Sequence, residues 1–275
     1  MGLFKLFSRE KARPPGPVPE RPAQEEGPLT LRVANLQGQG ERERQEDSFA
    51  AVNAAGPELQ KAQGLLALVA DGMGGMEDGK AASQWTAECF LQLFQEREEA
   101  DVPNWFYRSV HAVSDSVFHQ FGGRSGTTLA AVHLLGDQLH WLSVGDSGIF
   151  LMRDGGVFQL NREHTCLNRL LLQELEREPI DKQRALSDPD APRLTSFVGI
   201  DRLTEVDLSL RPLELQRGDS LLLCSDGISG VLTPPELMEA MSLEPEEGCV
   251  LLERMVLEKN VIGQDNYTGV LISCQ

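Results

Sequence analysis

Five aspartates lie where predicted strands meet short turns, most of which contain glycine, and a glutamate precedes one of them. They are Asp47 with Glu46 beside it, Asp71, Asp146, Asp226 and Asp265. Carboxylates at the ends of core strands are costly to bury, and several that converge repel one another unless a cation lies among them. Oxygen ligands select hard cations such as Mg²⁺, Mn²⁺ or Ca²⁺ over Zn²⁺. The set predicts a divalent-metal site, although a single pair such as Asp154-Gly155 is more simply a β-turn.

Arg42 lies five residues before Asp47, so a loop could bring its guanidinium close to a bound metal. A guanidinium suits two-pronged contact with phosphate oxygens. Two metals a few ångströms apart can hold a hydroxide and a phosphoryl oxygen together for in-line attack. These residues favour phosphate chemistry, with the alternative that Arg42 is a solvated charge in the run of residues 41–44.

Alternating and apolar runs predict the elements that position these residues. Strands are expected over 29–35, 48–52, 65–70, 127–135, 138–144, 149–153, 157–160, 205–213, 220–225 and 267–274. Helices are expected over 79–97, 104–121, 234–241 and 246–259, with a short one over 167–177 inside an irregular segment, 164–193. Antiparallel hairpins with paired helices predict an α+β fold of sheets covered by helical layers, not a doubly wound βαβ fold.

The composition of the 275 residues argues against several other classes of function. A formal net charge of −17 disfavours binding to nucleic acid. None of the five cysteines forms a C-x-x-C pair, so they are expected to be reduced core residues of a cytoplasmic protein. No run reaches the roughly 18 apolar residues of a membrane span, and the N-terminus lacks the features of a secretory signal.

Residues 1–28 are expected to form a disordered tail and a proline-rich linker, because Pro and Glu dominate residues 13–28. Within residues 1–13, Leu3, Phe4, Leu6 and Phe7 share one helical face near basic residues. Contact of this segment with a membrane surface is therefore the weaker alternative. The dense globular pattern begins at Leu29, so residues 29–275 are expected to form one catalytic domain.

Seven segments, in order, resemble the motifs of the metal-dependent type 2C serine/threonine protein phosphatases, particularly the compact bacterial-type members. They are RERQED, VADGMGG, SGTTLAAV, VGDSG, RLTSFVG, CSDGISG and GQDNYTGVLI, within a resemblance that runs from Leu29 to the C-terminus. Each segment is weak alone, and all seven in order are specific. The resemblance implies a four-layer αββα sandwich, in which two antiparallel sheets are flanked by helical layers. It also implies hydrolysis of phosphoserine and phosphothreonine monoesters by a water or hydroxide that bridges two Mg²⁺ or Mn²⁺ ions.

The resemblance implies a role for each matching residue. Asp47, Asp71 as the bridging ligand, the Gly72 carbonyl, Asp226 and Asp265 would hold the two ions, and Glu46 would act through metal-bound water. Arg42 would bind the substrate phosphate, Asp146 would belong to a weak third metal site, and residues 165–193 would form a flap beside the site. The implied partners are phosphorylated substrates of serine/threonine kinases, and a monomer is expected.

Three departures from the family pattern matter. Met73 stands where many eukaryotic members carry a histidine, so that histidine cannot be the general acid here. Gly148 and Gly230 replace an arginine and an aspartate, which concerns the third metal and leaves the main pair intact. The main alternative is a catalytically weak relative that binds phosphoproteins, but such a relative would have lost a core ligand. A cysteine-based phosphatase, a Walker-type nucleotide enzyme and an EF-hand protein each lack their required pattern.

Overall fold

Two antiparallel sheets face each other in the computed structural model, which describes residues 29–73 and 78–275. The first sheet has the order β1 (Leu31–Gly38), β11 (Tyr267–Cys274), β10 (Ser220–Cys224), β6 (Gly148–Arg153) and β7 (Gly156–Gln159). The second has the order β2 (Ser48–Val52), β3 (Leu65–Ala70), β4 (Leu129–Leu135), β5 (Gln138–Val144) and β8 (Asp207–Leu208), and β9 (Leu213–Glu214) also pairs with β5. The expectations for residues 1–28 lie outside the described residues.

Helices cover the outer face of each sheet. The helices of the described residues are α1 (Pro57–Gln63), α2 (Gly79–Gln95), α3 (Val102–Phe121), α4 (Cys166–Leu175), α5 (Lys182–Leu186), α6 (Asp226–Ser229), α7 (Pro234–Met241) and α8 (Pro245–Glu258). Helices α2 and α3 pack on the second sheet, and α7 and α8 pack on the first. The predicted α+β class and four-layer αββα arrangement are confirmed.

The apolar pattern of β3 explains why two sheets and a helical layer meet at this strand. Leu65, Ala67 and Val69 pack with residues of β10 and β11 in the layer between the sheets. Leu66 and Leu68 point the other way, towards α2 and α3. Because successive residues of a strand face opposite sides, a strand covered on both faces is apolar throughout, as β3 is.

The structure differs from the predicted elements in three respects. The strand predicted over 205–213 is wrong, because only β8 and β9 pair with β5 and Leu210 between them is 79% exposed. The segment 164–193 is more regular than predicted, since it contains α5 as well as α4. The short helices α1 and α6 were not predicted, because neither is long enough to show a helical period. No helix within residues 29–73 or 78–275 is both long and apolar enough to cross a bilayer.

Two of the connections between the sheets lie at the same edge of the sandwich. Residues 39–47 connect β1 of the first sheet to β2 of the second, and residues 145–147 connect β5 of the second to β6 of the first. We call residues 145–147 the crossover. Both connections carry predicted site residues, so the topology brings side chains of both sheets to the same edge.

Candidate metal centre

The predicted site residues meet in one pocket where the ends of the two sheets come together. Asp47 precedes β2 and Asp71 follows β3 in the second sheet, whereas Asp226 follows β10 and Asp265 precedes β11 in the first. The pocket has a volume of about 250 Å³ and is lined by Arg42, Glu46, Asp71, Gly72, Met73, Thr128, Asp146, Leu194, Asp226 and Asp265. Asp47 is fully buried behind this lining. All of the predicted site residues are therefore at or directly behind the pocket.

Asp47 has one carboxylate oxygen with a partner and one without. Its Oδ2 accepts a hydrogen bond of 2.8 Å from Oγ of Ser225, whereas its buried Oδ1 has no partner among the described residues. Burial raises the pKa of Asp47 to about 6, with a further contribution from the carboxylates of Asp226 and Asp265. An unpaired anionic oxygen in the interior is unfavourable unless a cation approaches it. The environment of Asp47 therefore fits a metal ligand.

Asp71 is fixed through its backbone by the start of β4. Its amide donates a hydrogen bond of 3.0 Å to Oγ1 of Thr128, and the Thr128 amide donates one of 2.8 Å to the Asp71 carbonyl. Thr128 Oγ1 also lies 2.6 Å from Oγ of Ser147, which is in the crossover. Thr128 thus ties the turn of Asp71 to that of Asp146. The sequence showed Thr128 only as a polar residue at the entry of a strand.

Mutual repulsion and burial act on the carboxyl groups of the pocket. Burial raises the pKa of Asp71 well above its ordinary value, and the nearby Asp47 and Asp226 raise it too. Burial and the Asp226 charge raise the pKa of Asp146 to about 7. Surrounding protein also raises the pKa of Asp226, although this residue opens to solvent at the pocket mouth, which weakens the effect. Clustered acids with these shifts favour a compensating cation.

Several of the pocket carboxylates have partners within the protein. Across residues 29–73 and 78–275, no three carboxyl, imidazole or thiol groups are already arranged to hold one ion. Asp265 forms an ion pair with Arg42, Asp47 accepts from Ser225, and a proton shared by Asp71 and Asp226 would join these two carboxyl groups in a hydrogen bond. The donor types fit Mg²⁺ or Mn²⁺, and binding requires these side chains to exchange their present partners.

Asn266 holds the loop that carries Arg42 and Glu46. Its Nδ2 donates to the carbonyls of Gln39 and Arg44 at 2.8 and 3.0 Å, and its Oδ1 accepts from the Glu46 amide at 2.8 Å. Arg42 is thereby placed at the pocket mouth, where its guanidinium contacts Asp265. No role for Asn266 was predicted from the sequence, where the one available signal is an amide side chain directly after a candidate ligand.

Gly72 allows two backbone segments to approach the pocket. A Cβ atom at this position would lie 2.4 Å from the Gly79 carbonyl oxygen and 2.5 Å from that of Glu46. Any side chain would therefore force apart the segments that carry Glu46 and the start of α2. The close approach is consistent with the backbone of Gly72 serving the site.

The two glycine departures have local packing reasons. A Cβ at Gly148 would lie 2.3 Å from Cε2 of Phe150, so the phenyl ring occupies the space that a larger residue would take. A Cβ at Gly230 would lie 2.8 Å from the Asp226 carbonyl oxygen. A carboxylate at position 230 would therefore require the end of α6 to shift.

Comparison with known proteins places the chain in a family. Residues 41–254 match the family model for protein phosphatase 2C. Serine/threonine phosphatase stp of Listeria innocua serovar 6a is 26% identical over 219 residues, which cover 75% of this chain and 83% of the relative. The crystal structure of the Mycobacterium tuberculosis serine/threonine phosphatase PstP/Ppp is similar with a TM-score of 0.72 and 28% identity, covering 89% of this chain and 98% of that chain.

A second solved structure is the catalytic domain of the serine threonine protein phosphatase PstP in complex with 2 manganese ions. It has a TM-score of 0.69 and 27% identity, and covers 90% of this chain and 99% of that chain. The family match spans well over half of the 275 residues and includes Asp47 before β2, Asp71 after β3 and Asp226 after β10. The chain belongs to the protein phosphatase 2C family.

Proposed function

We propose that this chain is a metal-dependent protein-serine/threonine phosphatase that hydrolyses phosphoserine and phosphothreonine monoesters. Membership of the protein phosphatase 2C family and the named activities of the relatives support this function. The observation that carries the proposal is the convergence of carboxylates from both sheets on one pocket, with an unpaired Asp47 oxygen behind it and Arg42 at its mouth.

The pocket would hold two divalent cations, Mn²⁺ or Mg²⁺. The proposed ligands are Asp47, Asp71, the Gly72 carbonyl, Asp226 and Asp265, with Glu46 acting through a water molecule. When bound, such ions neutralise phosphoryl oxygens and supply an activated water for in-line attack on phosphorus. The relative PstP has been solved with 2 manganese ions, which supports this number. A third, weaker ion would lie beside Asp146, whose pKa the charge of Asp226 raises in addition to burial.

The residues at the pocket mouth would bind and orient the substrate. Arg42 would exchange its contact with Asp265 for two phosphate oxygens, because a guanidinium suits a tetrahedral oxyanion. Met73 lines the pocket with a thioether, which cannot donate a proton to the leaving alcohol. Leu194, directly after the flap, adds an apolar wall beside the carboxylates. The substrates would be phosphorylated proteins modified by serine/threonine kinases.

Residues 29–275 would form the catalytic domain. The family match over residues 41–254 and all seven motif segments lie inside this range, which supports the boundary. We expect a chain that begins at Leu29 to keep the kcat of the full chain with a phosphopeptide. A folded, metal-loaded protein that has lost activity on this truncation would contradict the proposed domain boundary.

Hydrolysis of p-nitrophenyl phosphate in Mn²⁺, Mg²⁺, Ca²⁺ or EDTA tests the function directly. We expect turnover with Mn²⁺ or Mg²⁺ and none in excess EDTA, followed by release of phosphate from phosphoserine and phosphothreonine peptides. Full activity in EDTA would overturn the metal-dependent mechanism. Binding of Mn²⁺ without turnover would instead support a phosphoprotein-binding relative.

A further inference from the structure

We propose that His164 is a positioning residue that fixes Asp146 in the pocket and connects it to the base of the flap, residues 165–193. This inference rests on the proposed phosphatase function. Its structural basis is the set of contacts that His164 makes with the crossover on one side and with the residues that close the flap on the other.

His164 engages both hydrogen-bonding groups of Gly145, the residue before Asp146. The His164 amide donates a hydrogen bond of 2.8 Å to the Gly145 carbonyl, and the Gly145 amide donates one of 3.1 Å to Nδ1 of His164. Gly145 has a φ of +97°, and a Cβ there would lie 2.7 Å from Cγ2 of Thr128. The crossover thus has a backbone conformation that only glycine adopts easily, and the imidazole of His164 holds it.

The imidazole is bound through one nitrogen alone. A backbone amide can only donate, so Nδ1 of His164 must accept, and the proton of the neutral ring is on Nε2. His164 is 2% exposed, and its Nε2 has no hydrogen-bond partner among the described residues. A buried donor without a partner destabilises a fold, so stability alone does not explain a histidine at this position. The hydrogen bond that the imidazole does make is the one from the Gly145 amide to Nδ1.

The two ends of the flap meet at the backbone of His164. The His164 carbonyl accepts a hydrogen bond of 2.8 Å from the Thr195 amide, and Thr165 forms an antiparallel bridge with Leu194. Leu194 itself lines the pocket. Displacement of either flap end therefore moves the residue whose ring fixes the turn of Asp146.

The carboxylate of Glu205 also joins the two ends of the flap. Glu205 accepts a hydrogen bond of 2.7 Å from Oγ1 of Thr195 and forms an ion pair of 3.0 Å with Arg169 of α4. One carboxylate thus ties the flap helix to the strand that leaves the flap. Hydrogen bonds and this ion pair therefore connect the flap, Leu194 in the pocket wall and the turn of Asp146, and His164 lies between them.

Two substitutions of similar size separate positioning from simple packing. The Oδ1 atom of an asparagine occupies nearly the same place as Nδ1 of histidine, so His164→Asn keeps an acceptor for the Gly145 amide. The amide of a glutamine extends to the place of Nε2, so His164→Gln fills the space but removes that acceptor. The two variants therefore differ chiefly in the contact to Gly145.

We expect His164→Gln to lower kcat about tenfold at saturating Mn²⁺, which is the usual effect of removing a residue that orients a ligand. His164→Asn should retain most of the wild-type kcat. Isothermal titration should show the two tighter Mn²⁺ events in both variants, with any weaker third event lost only in His164→Gln. Hydrogen exchange of the Gly145 amide should be slow in the wild type and His164→Asn, and fast in His164→Gln.

Asp146→Ala provides the second half of the test. If His164 acts through Asp146, then His164→Gln should add no further loss of kcat in the Asp146→Ala background. Additive losses, or equal losses in the Asn and Gln variants, would overturn the inference. Should His164→Gln fail to fold, loss of Gly145 protection or of kcat in a folded His164→Asn would do the same.

The wild type distinguishes failure of this inference from failure of the proposed function. A wild-type protein without metal-dependent turnover would refute the phosphatase assignment, whereas Gly145 exchange would still report the His164 contact. An active wild type whose two histidine variants keep normal kcat and normal Gly145 exchange would refute only the positioning role.

Discussion

Single carboxylate groups determine what the pocket can bind. Asp47 keeps one oxygen unpaired in the interior, and Asp71 has a raised pKa because burial and neighbouring acids disfavour its charged form. Asp47 directly precedes Ser48 of β2 and Asp71 directly follows Ala70 of β3. Because Ser48 and Ala70 pair with each other, strand pairing holds the two aspartates side by side. This arrangement gives up stability in the metal-free state in return for affinity for cations.

Asp71→Asn should show this compromise. We expect kcat at saturating Mn²⁺ to fall by on the order of 10²–10³-fold, because the variant lacks a charged ligand where phosphate charge must be neutralised. The thermal midpoint in EDTA should rise, because the neutral amide removes repulsion with the neighbouring acids. Asp137→Asn, in the exposed turn between β4 and β5, is the matched control and should change neither quantity. Normal turnover in Asp71→Asn would remove this residue from the metal site.

Arg42→Ala should raise the KM for a phosphopeptide about tenfold, because a charge-assisted contact with phosphate is lost. Mn²⁺ affinity measured by titration should stay the same or increase, since Asp265 loses its competing ion pair. Arg44→Ala is the control, because Arg44 is an exposed neighbour in the same loop. Equal effects of the two substitutions would indicate a general charge effect and would argue against a phosphate-binding role.

At the scale of elements, the chain itself specifies most of the strands and the order of the ligands. The apolar runs at β3 and β10 end at Asp71 and Ser225, and the run at β11 begins two residues after Asp265, so periodicity alone finds the strand ends that matter. Contacts between distant segments could not be predicted, because no local pattern shows that Asn266 clamps residues 39–46 or that His164 holds the crossover. The Asn266 contact joins residues 227 apart in sequence, and the His164 contact joins residues 19 apart across an intervening hairpin, so neither follows from a local pattern.

The flap shows the same limit. Helix α5 has only five residues and is anchored by Glu174, whose side chain is 5% exposed and accepts hydrogen bonds from Arg177 at 2.6 Å and Arg184 at 3.0 Å. A buried glutamate inside a polar segment has no periodic signature in the sequence. The two arginines are half-exposed, and Arg184 of α5 reaches the buried carboxylate of Glu174 in α4, so this ion pair joins the two helices.

Glu174→Gln should therefore loosen α5 without unfolding the protein. We expect exchange of the α5 amides to accelerate by about tenfold or more, because a charged acceptor for two guanidinium groups becomes neutral. Hydrolysis of p-nitrophenyl phosphate should be nearly unchanged, since Glu174 does not line the pocket. Glu176→Gln, an exposed neighbour, is the control. Unchanged exchange in α5 would show that the arginine contacts do not hold the helix.

On the scale of the whole molecule, acidity and metal binding are linked. The ordinary pKa of 3.8 for Asp47 is raised to about 6 in the fold, so the folded metal-free protein binds a proton that the unfolded chain still lacks. Stability without metal should increase as pH falls from 7 through 6, reaching its full gain near pH 4. His133 opposes this trend, because burial lowers its pKa to about 4 and the unfolded chain takes up a proton first.

Comparison of the wild type with Asp47→Asn isolates the carboxylate, because the contribution of His133 is common to both. We expect urea unfolding in EDTA to show that the unfolding free energy of the variant, relative to that of the wild type, rises by on the order of 3 kcal/mol between pH 4 and pH 8. With saturating Mn²⁺ at high pH, the wild type should be the more stable protein, since only the wild type retains the Asp47 carboxylate as a metal ligand. A difference in unfolding free energy that does not vary with pH would refute the assigned shift of Asp47.

In the ion pair between Arg42 and Asp265, the guanidinium of Arg42 is the counterion of the Asp265 carboxylate. A cation that recruits Asp265 must displace the guanidinium, and the displaced guanidinium then becomes free for an anion. Cation and phosphate therefore assist each other, and by reciprocity each raises the affinity of the other by the same factor. A phosphatase built this way is screened against stray anions when metal is scarce, and it retains scarce metal best while substrate is abundant.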